Sequence, residues 1–465
     1  MAQRRADQLD RRGDHRQGGP GQGPVLTTLR ALPPGDAGIA SARPGPDLAE
    51  WGYTETEHVA SGTAVSYRAD DLPADGHWSL EVDDTADFAT RVLVRSPAPE
   101  RASGTLVVEW LNVSSGQDAA PGWTFYAEEV VRRGHAYAAV SAQHAGVEGG
   151  LTLVAIGGRG SPGLRGGNPE RYADLTHPGD AFCYDVFTSV ARAVAESLGS
   201  TCVLATGESQ SAFALTSYAD GVQPITGLFD GFLIHSRGGT ALPLGRAGEG
   251  VRLEERLRGV PTRLRTDLDV PVLVVQTETD LFGYLDFLPA RQPDHDLLRV
   301  WEVAGTAHAD KHVIGDFEDF LGCSQPVNRG QQVFVVRAAL HHLERWARGG
   351  EAAPQAPPLD VVDGAFVLDD VGNVTGGVRT PAVDAPVEVL SGTEVPGSSA
   401  LCRLFGSSAV LPADRIGARW RDADHYRSAY AAAAERAVAL GFVLAEDREA
   451  LLADERSAQV PQNVW

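Results

Sequence analysis

The stretch Cys202-Val-Leu-Ala-Thr-Gly-Glu-Ser-Gln-Ser-Ala-Phe-Ala-Leu215 decides how this chain is read. Cys202 to Thr206 is a short β-branched and apolar run, the composition of a buried strand, and Gln210 to Ala219 reads as a helix. Between them, Thr206-Gly-Glu-Ser-Gln-Ser211 leaves room only for a tight strand-to-helix turn. A serine at the apex of such a turn has its hydroxyl pushed above the sheet edge, and small residues two positions to either side make the turn sterically possible. Gly207 and Ser211 are those neighbours of Ser209. The usual pattern is G-x-S-x-G, so Ser211 in the last place is a departure, though serine is still small enough for close helix–strand approach. The competing reading of Ser209 is an N-cap, worth about 0.5–2 kcal/mol to a helix.

A nucleophilic serine needs a base, and the base needs an orienting carboxylate. In folds with this turn they follow in the chain order Ser, acid, His. Past the apolar strand Val270 to Gln276 lies Thr277-Glu-Thr-Asp280; the usual spacing favours Asp280, with Glu278 the rival, and one of the two is expected to cap the following helix. After the next strand, Leu298 to Val303, the small-residue loop Ala304-Gly-Thr-Ala lets the imidazole of His308 swing towards Ser209. His312, four residues further on, could share a helix face with His308 as half of a metal site. No HExxH-type glutamate accompanies the pair, so neither a metal nor a cofactor is expected.

The oxyanion of acyl transfer must be met by pre-placed N–H groups. One is expected from Gln210, at the helix N-terminus, and the other from Asn112 or Val113, in the loop after the strand Gly104 to Leu111. His235-Ser-Arg237 ends another strand at the same edge, so His235 or Arg237 is expected to face substrate. An arginine there suits a carboxylate or several hydroxyls through its forked donors. Asp180, in His177-Pro-Gly-Asp180, reads as a helix cap.

Working outward, strands at Ala136 to Val140 and Phe229 to His235 alternate with helices at Trp123 to Arg133, Asp180 to Leu198 and Asn328 to Arg348. Short strands alternating with such helices imply an α/β fold, a mainly parallel sheet covered on both faces. Ser66 to Arg68 and Thr90 to Val94 read as two short strands ahead of it. The expected organisation is a disordered tail over residues 1–24, one catalytic domain over 25–350 with a lid insertion at 238–269, and an extension over 351–465 that packs on the core. Within that extension, Val361 to Val378 reads as a hairpin and Arg421 to Ala458 as a helical pair broken at Gly441.

Acidic residues outnumber basic ones 62 to 40, a net charge of −22, which argues against nucleic acid as a partner because phosphates need a basic face. No apolar run reaches the length of a membrane span. The tail has no hydrophobic stretch, so it is not a secretory signal, and a cytoplasmic location is expected. Cys183, Cys202, Cys323 and Cys402 form no CxxC pair and read as free buried thiols.

The segments GTLVVEWLNVSSG, VVRRGHAYAAVSAQHAGV, LTHPGDAFCYDVF, GESQSA, FLIHSRGG, VLVVQTETDL and GTAHAD resemble a large bacterial α/β-hydrolase-domain family that carries a GESQSA-type nucleophile elbow. The likeness runs from about Gly104 to Arg348 and continues more loosely to the final helices. It implies the α/β-hydrolase fold, with Ser209, His308 and either Asp280 or Glu278 as the triad. The expected function is that of a serine hydrolase acting on a small-molecule carboxylic ester or lactone through an acyl-enzyme. An acyltransferase with the same triad, and a non-catalytic binding protein that keeps the fold, are the alternatives.

Overall fold

The computed structural model describes residues 26–39, 44–150, 160–252, 259–393, 395, 397–399 and 401–460. The expected tail, residues 1–24, lies outside them. A nine-stranded sheet is built from β1 (Thr28–Ala31), β2 (Tyr53–Arg68), β3 (Glu81–Pro97), β4 (Thr105–Trp110), β5 (Ala136–Val140), β6 (Cys202–Glu208), β7 (Gly231–His235), β8 (Val272–Thr277) and β9 (Leu298–Val303). Their order is β1-β2-β3-β5-β4-β6-β7-β8-β9. From β5 to β9 every pairing is parallel, and β1 to β3 add an antiparallel edge. This is the α/β-hydrolase architecture.

Every residue of β4 to β9 is buried, which a parallel strand covered on both faces requires. Alternate residues of β4 serve the two faces. Leu106, Val108 and Trp110 pack under the helix Cys183–Leu198, here α2, through Val186, Val190 and Val194. Val107 packs against the other layer, made by α1 (Pro121–Arg133) and α4 (Gln332–Ala347) through Val130, Val335 and Leu343. Each such side chain contributes about 1.5–3 kcal/mol on full burial. The eight-residue α3 (Gln210–Ser217) follows β6 directly and is buried at every position.

The sheet's antiparallel edge departs from the expected pair of short strands. β2 and β3 are 16 and 17 residues long and pair from Tyr53↔Pro97 to Arg68↔Glu81. The outer part of β3, Glu81 to Thr85, is exposed, and β2 mixes buried and exposed positions without a period of two, so no alternation of apolar and polar residues marks them.

The C-terminal segment shares the core. Phe442, Val443, Leu444 and Leu451 join the cluster around α1 and α4, and Arg132 and Arg337 both reach Asp447, at 2.6 and 3.3 Å. A smaller cluster around Ile416, Trp420, Tyr426 and Tyr430 belongs to this segment alone. The described parts of 238–269 carry no helix or strand, and Leu242, Leu264 and Leu268 sink into the main core beside the sheet.

The cysteines correct the expectation of four free thiols. Cys183 and Cys202 are free and buried, but Cys323 and Cys402 form a disulfide across 79 positions, with Cα atoms 5.7 Å apart. It ties the segment after β9 to the extension, where Ala309 N donates to Leu404 O at 3.0 Å and Asn328 N to Phe405 O at 2.9 Å.

Candidate active site

The turn between β6 and α3 holds Ser209 at φ 57° and ψ −118°, a left-handed conformation that costs a non-glycine residue energy and recurs at functional sites. Tight packing supports it. A Cβ on Gly207 would stand 2.9 Å from Ser211 O and 3.0 Å from Leu215 Cδ1, so only glycine fits there. Ser211 explains its departure from the usual glycine. Its hydroxyl donates to Glu208 O at 2.8 Å and accepts from Glu208 N at 3.0 Å, closing the turn with a side chain.

The loops after β8 and β9 bring two more groups to Ser209. His308 Nε2 lies 2.7 Å from Ser209 Oγ, and His308 Nδ1 lies 2.7 Å from Asp280 Oδ1. A carboxylate only accepts, so Nδ1 carries the proton and Nε2 is left to accept from the serine hydroxyl. Asp280 Oδ2 takes Thr277 N at 2.7 Å, which fixes the carboxylate. His308 N donates to Thr279 Oγ1 at 3.2 Å, so the same turn holds the base by its backbone. Burial alone would lower the pKa of His308. The hydrogen bond and charge of Asp280, with the charge of Glu208, outweigh it and leave the imidazole above the ordinary histidine value.

Glu278, the rival acid, points elsewhere. Oε1 accepts from Gly305 N at 2.6 Å and Oε2 from Gly392 N at 2.7 Å, so the carboxyl staples the His308 loop to the extension. Burial pushes its pKa up to about 7 against the pull of those two amides.

The residues expected to supply oxyanion donors separate as well. The amide of Gln210 has no acceptor among the described residues and opens the first turn of α3, where the helix dipole favours negative charge. Asn112 is corrected out of the role: its backbone N–H is spent on Ala119 O at 2.9 Å, and its side chain donates to Glu208 O at 3.1 Å. Val113 N donates to Gln210 Oε1 at 3.2 Å, so a carbonyl oxygen already sits on that donor. The Gln210 carboxamide is held in turn by Gln143 Oε1, at 2.6 Å from Nε2, and Gln143 also accepts from Trp110 Nε1 at 3.0 Å.

His235 and Arg237, expected to face substrate, are both buried with their side chains engaged by other parts of the chain. The His235 ring packs edge-on to Phe125, Nε2 meets Gln332 Oε1 at 3.2 Å, and burial takes its pKa down to about 4. What His235 gives the site is its carbonyl, which accepts from Ser209 N at 3.0 Å. Arg237 is 1% exposed, donates to Gly238 O and Thr262 O, and stacks on Phe287. Arg237 points inward because its donors are spent on the loop that follows β7, whereas His235 is held by the start of α4. Asp180 does not cap α2; it accepts from His144 N at 2.7 Å and Val251 N at 2.7 Å, tying two loops together. His312 bonds Thr124 O at 3.0 Å, away from Ser209.

Sequence reasoning passed over Glu208. It occupies the variable position before the serine, and only its proximity in the chain could have drawn attention to it. Its Oε1 stands 3.8 Å from His308 Nε2.

A family model described as an alpha/beta hydrolase domain matches residues 22–453. No curated protein matches the chain. Among solved structures the chain is similar to a serine hydrolase without lid from Xanthomonas campestris, at 12% identity, TM-score 0.27, over 51% of this chain and 83% of that one. It is similar to a glucuronoyl esterase from Solibacter usitatus at 11% identity, TM-score 0.29, over 64% and 87%. It is also similar to the esterase domain of a Rhodothermus marinus protein, at 12% identity, TM-score 0.29, over 62% and 98%.

Proposed function

The chain belongs to the alpha/beta hydrolase domain family, and from that premise we propose that it is a serine hydrolase cleaving a small-molecule carboxylic ester, open-chain or lactone, through an acyl-enzyme on Ser209. The observation that carries the reading is the unbroken pair of 2.7 Å hydrogen bonds linking Ser209 Oγ, the His308 ring and Asp280 Oδ1. As Oγ attacks the carbonyl carbon, its proton passes to Nε2 and the carbonyl π pair moves to oxygen. Asp280 keeps the ring oriented and balances the imidazolium. Collapse of the tetrahedral adduct breaks the ester C–O bond, and Nε2 returns the proton to the leaving alkoxide. A water then gives its proton to Nε2 and attacks the acyl carbon, and breakage of the Oγ–C bond restores the serine.

The oxyanion is supported by two amides. Gln210 N is free to donate, and Val113 N becomes free when the substrate oxygen takes the place of Gln210 Oε1. Loss of one such donor costs about 2.7–4 kcal/mol of transition-state stabilisation. On location, the Cys323–Cys402 disulfide weighs against the reducing cytoplasm and favours an oxidising compartment. Among the described residues no helix is long and apolar enough to cross a membrane.

The test is Ser209→Ala with p-nitrophenyl acetate, where kcat falls by roughly 10⁴–10⁶-fold, together with mass spectrometry of protein treated with a fluorophosphonate, which labels Ser209. Labelling at another residue, or hydrolysis that survives the substitution, overturns the reading.

A further inference from the structure

The residue that precedes the serine is not used by the reaction above. Glu208 is 6% exposed, and its backbone is pinned at N–H and C=O by Ser211 Oγ, with Asn112 Nδ2 also on its carbonyl. The elbow itself therefore sets where this carboxyl points. It points to the far side of the imidazole: Oε1 is 3.8 Å from His308 Nε2, while Asp280 holds Nδ1 at 2.7 Å. At 3.8 Å the contact is beyond hydrogen-bond length but well inside the range at which a buried charge is felt.

The charged and titratable groups around it favour this use. Asp280 and Glu109, on β4, have the same sign as Glu208 and repel its ionised form, and His308 attracts it. Glu109 is already committed to Gly122 N, Trp123 N and the hydroxyls of Tyr126 and Tyr137. His235 faces the same cavity of about 10 Å³ that Glu208 lines and is held neutral by burial. Among the described residues, His308 is thus the one basic group within ion-pair range of Glu208. The balance of burial and neighbours lifts the Glu208 carboxyl to about 8, so it titrates in the range where a hydrolase works.

We infer that Glu208 is a second positioning carboxyl for His308, supporting the imidazolium from its Nε2 side while Asp280 supports it from Nδ1. The inference rests on the reading of Ser209 and His308 as nucleophile and base. Glu208 touches no reacting atom; it acts through the charge and orientation of the ring. Asp280 and Glu208 form a clamp around the imidazole, and the proton taken from Ser209 lands on the nitrogen that faces the second jaw.

Three measurements on the full chain test it: the pH profile of kcat/KM for p-nitrophenyl acetate, the His308 titration by NMR in a Ser209→Ala background, and melting temperature. In Glu208→Gln the carboxamide cannot ionise. Both the rise in kcat/KM and the response of His308 in NMR that follow ionisation of Glu208 near pH 8 are lost, and kcat at pH 9 falls about tenfold. Glu208→Asp recovers part of both changes, which a packing defect would not. The inference is overturned if folded Glu208→Gln leaves that rise and that response as they were. It is equally overturned if Glu208→Asp and Glu208→Gln change them by the same amount. Failure of the parent reading has a different signature, namely hydrolysis that persists in Ser209→Ala itself.

Discussion

Asp280→Asn tests the orientation of the base. The wild-type carboxylate spends one oxygen on each of two donors, Oδ1 on His308 Nδ1 and Oδ2 on Thr277 N, both at 2.7 Å. Asp280 is 0% exposed, so solvent cannot replace either partner. Asparagine offers one acceptor and one NH₂. If its oxygen stays on His308, the NH₂ meets the Thr277 N–H, and a buried orphan donor costs about 1–3 kcal/mol. If it turns over, Thr277 is satisfied and the NH₂ faces Nδ1. That forces the ring proton onto Nε2, where it blocks acceptance from Ser209. The second arrangement is the cheaper one, so kcat falls about 10⁴-fold, equivalent to roughly 5.5 kcal/mol of activation free energy. Removing the Asp280 charge also removes the main force that raises the His308 pKa, so the acid limb of the residual activity moves to lower pH. Glu278→Gln is the control. It weakens one of the staples to Gly305 N and Gly392 N and lowers stability by about 1–3 kcal/mol, but kcat changes little because no partner of His308 is altered. The assay is steady-state hydrolysis of p-nitrophenyl acetate from pH 6 to 9, with melting temperatures for both variants. A Asp280→Asn enzyme that retains most of its kcat, or a Glu278→Gln enzyme that loses as much, refutes the reasoning.

Ser211→Gly restores the common elbow pattern yet lowers stability by about 1–3 kcal/mol, because Glu208 N loses its acceptor in a buried turn; urea unfolding measures it, and a more stable variant would contradict the turn-closing role of the hydroxyl. Joint replacement of Cys323 and Cys402 by serine lowers stability by roughly 2–4 kcal/mol. The same change reduces kcat, since the bond anchors the strand of chain whose Leu404 O holds Ala309 N beside His308; unchanged melting and turnover with and without dithiothreitol would count against it. The contribution of Glu278 to stability should also fall as pH rises from 5 to 8.5. Glu278 titrates near 7 when folded against about 4.3 when unfolded, so the folded chain holds a proton the unfolded one has lost, and its contribution fades as pH climbs through 7. Glu278→Gln should flatten that slope in melting-temperature scans.

The parts legible in the amino-acid order are those where burial on both faces leaves a mostly apolar run. β4, β5 and β9 fall within a residue of their expected bounds because apolar side chains dominate them, even where Glu109, Arg299 or Glu302 interrupts. The outer end of β3, Glu81 to Thr85, is exposed at every position and leaves no such trace. The positions of Ser209, Asp280 and His308 were legible because each follows a strand end, where this sheet presents its loops. Orientation was not. Glu278 and Asp280 sit two apart in one capping turn, and only the turn's three-dimensional course sends one carboxylate to His308 and the other to Gly305 and Gly392. The same holds for Asn112 against Val113, whose amides have different acceptors, Ala119 O and Gln210 Oε1, and for Arg237, whose charge suggested a ligand but whose donors are spent on Gly238 O and Thr262 O. The Cys323–Cys402 pair bridges 79 positions with no spacing motif to announce it.

The three polar side chains inside the elbow motif divide its work. A glycine at position 211 would fit the turn but would leave Glu208 N–H and C=O to find other partners. Serine closes the turn itself and in doing so fixes the direction of the Glu208 side chain. Glutamine at 210 reaches back across the oxyanion loop, holding Val113 N in place with a carbonyl oxygen of the kind a substrate brings. Its other end is braced by Gln143, which Trp110 fixes at the end of β4. In the empty site the Val113 donor is therefore neither unsatisfied nor free to collapse onto another acceptor. The exchange of one carbonyl for another leaves the count of hydrogen bonds unchanged, so the cost of opening the site is the displacement of Gln210 rather than the exposure of a buried amide. With Glu208 facing the imidazole, the motif thus sets the loop, the turn and the ring from three near neighbours of one serine.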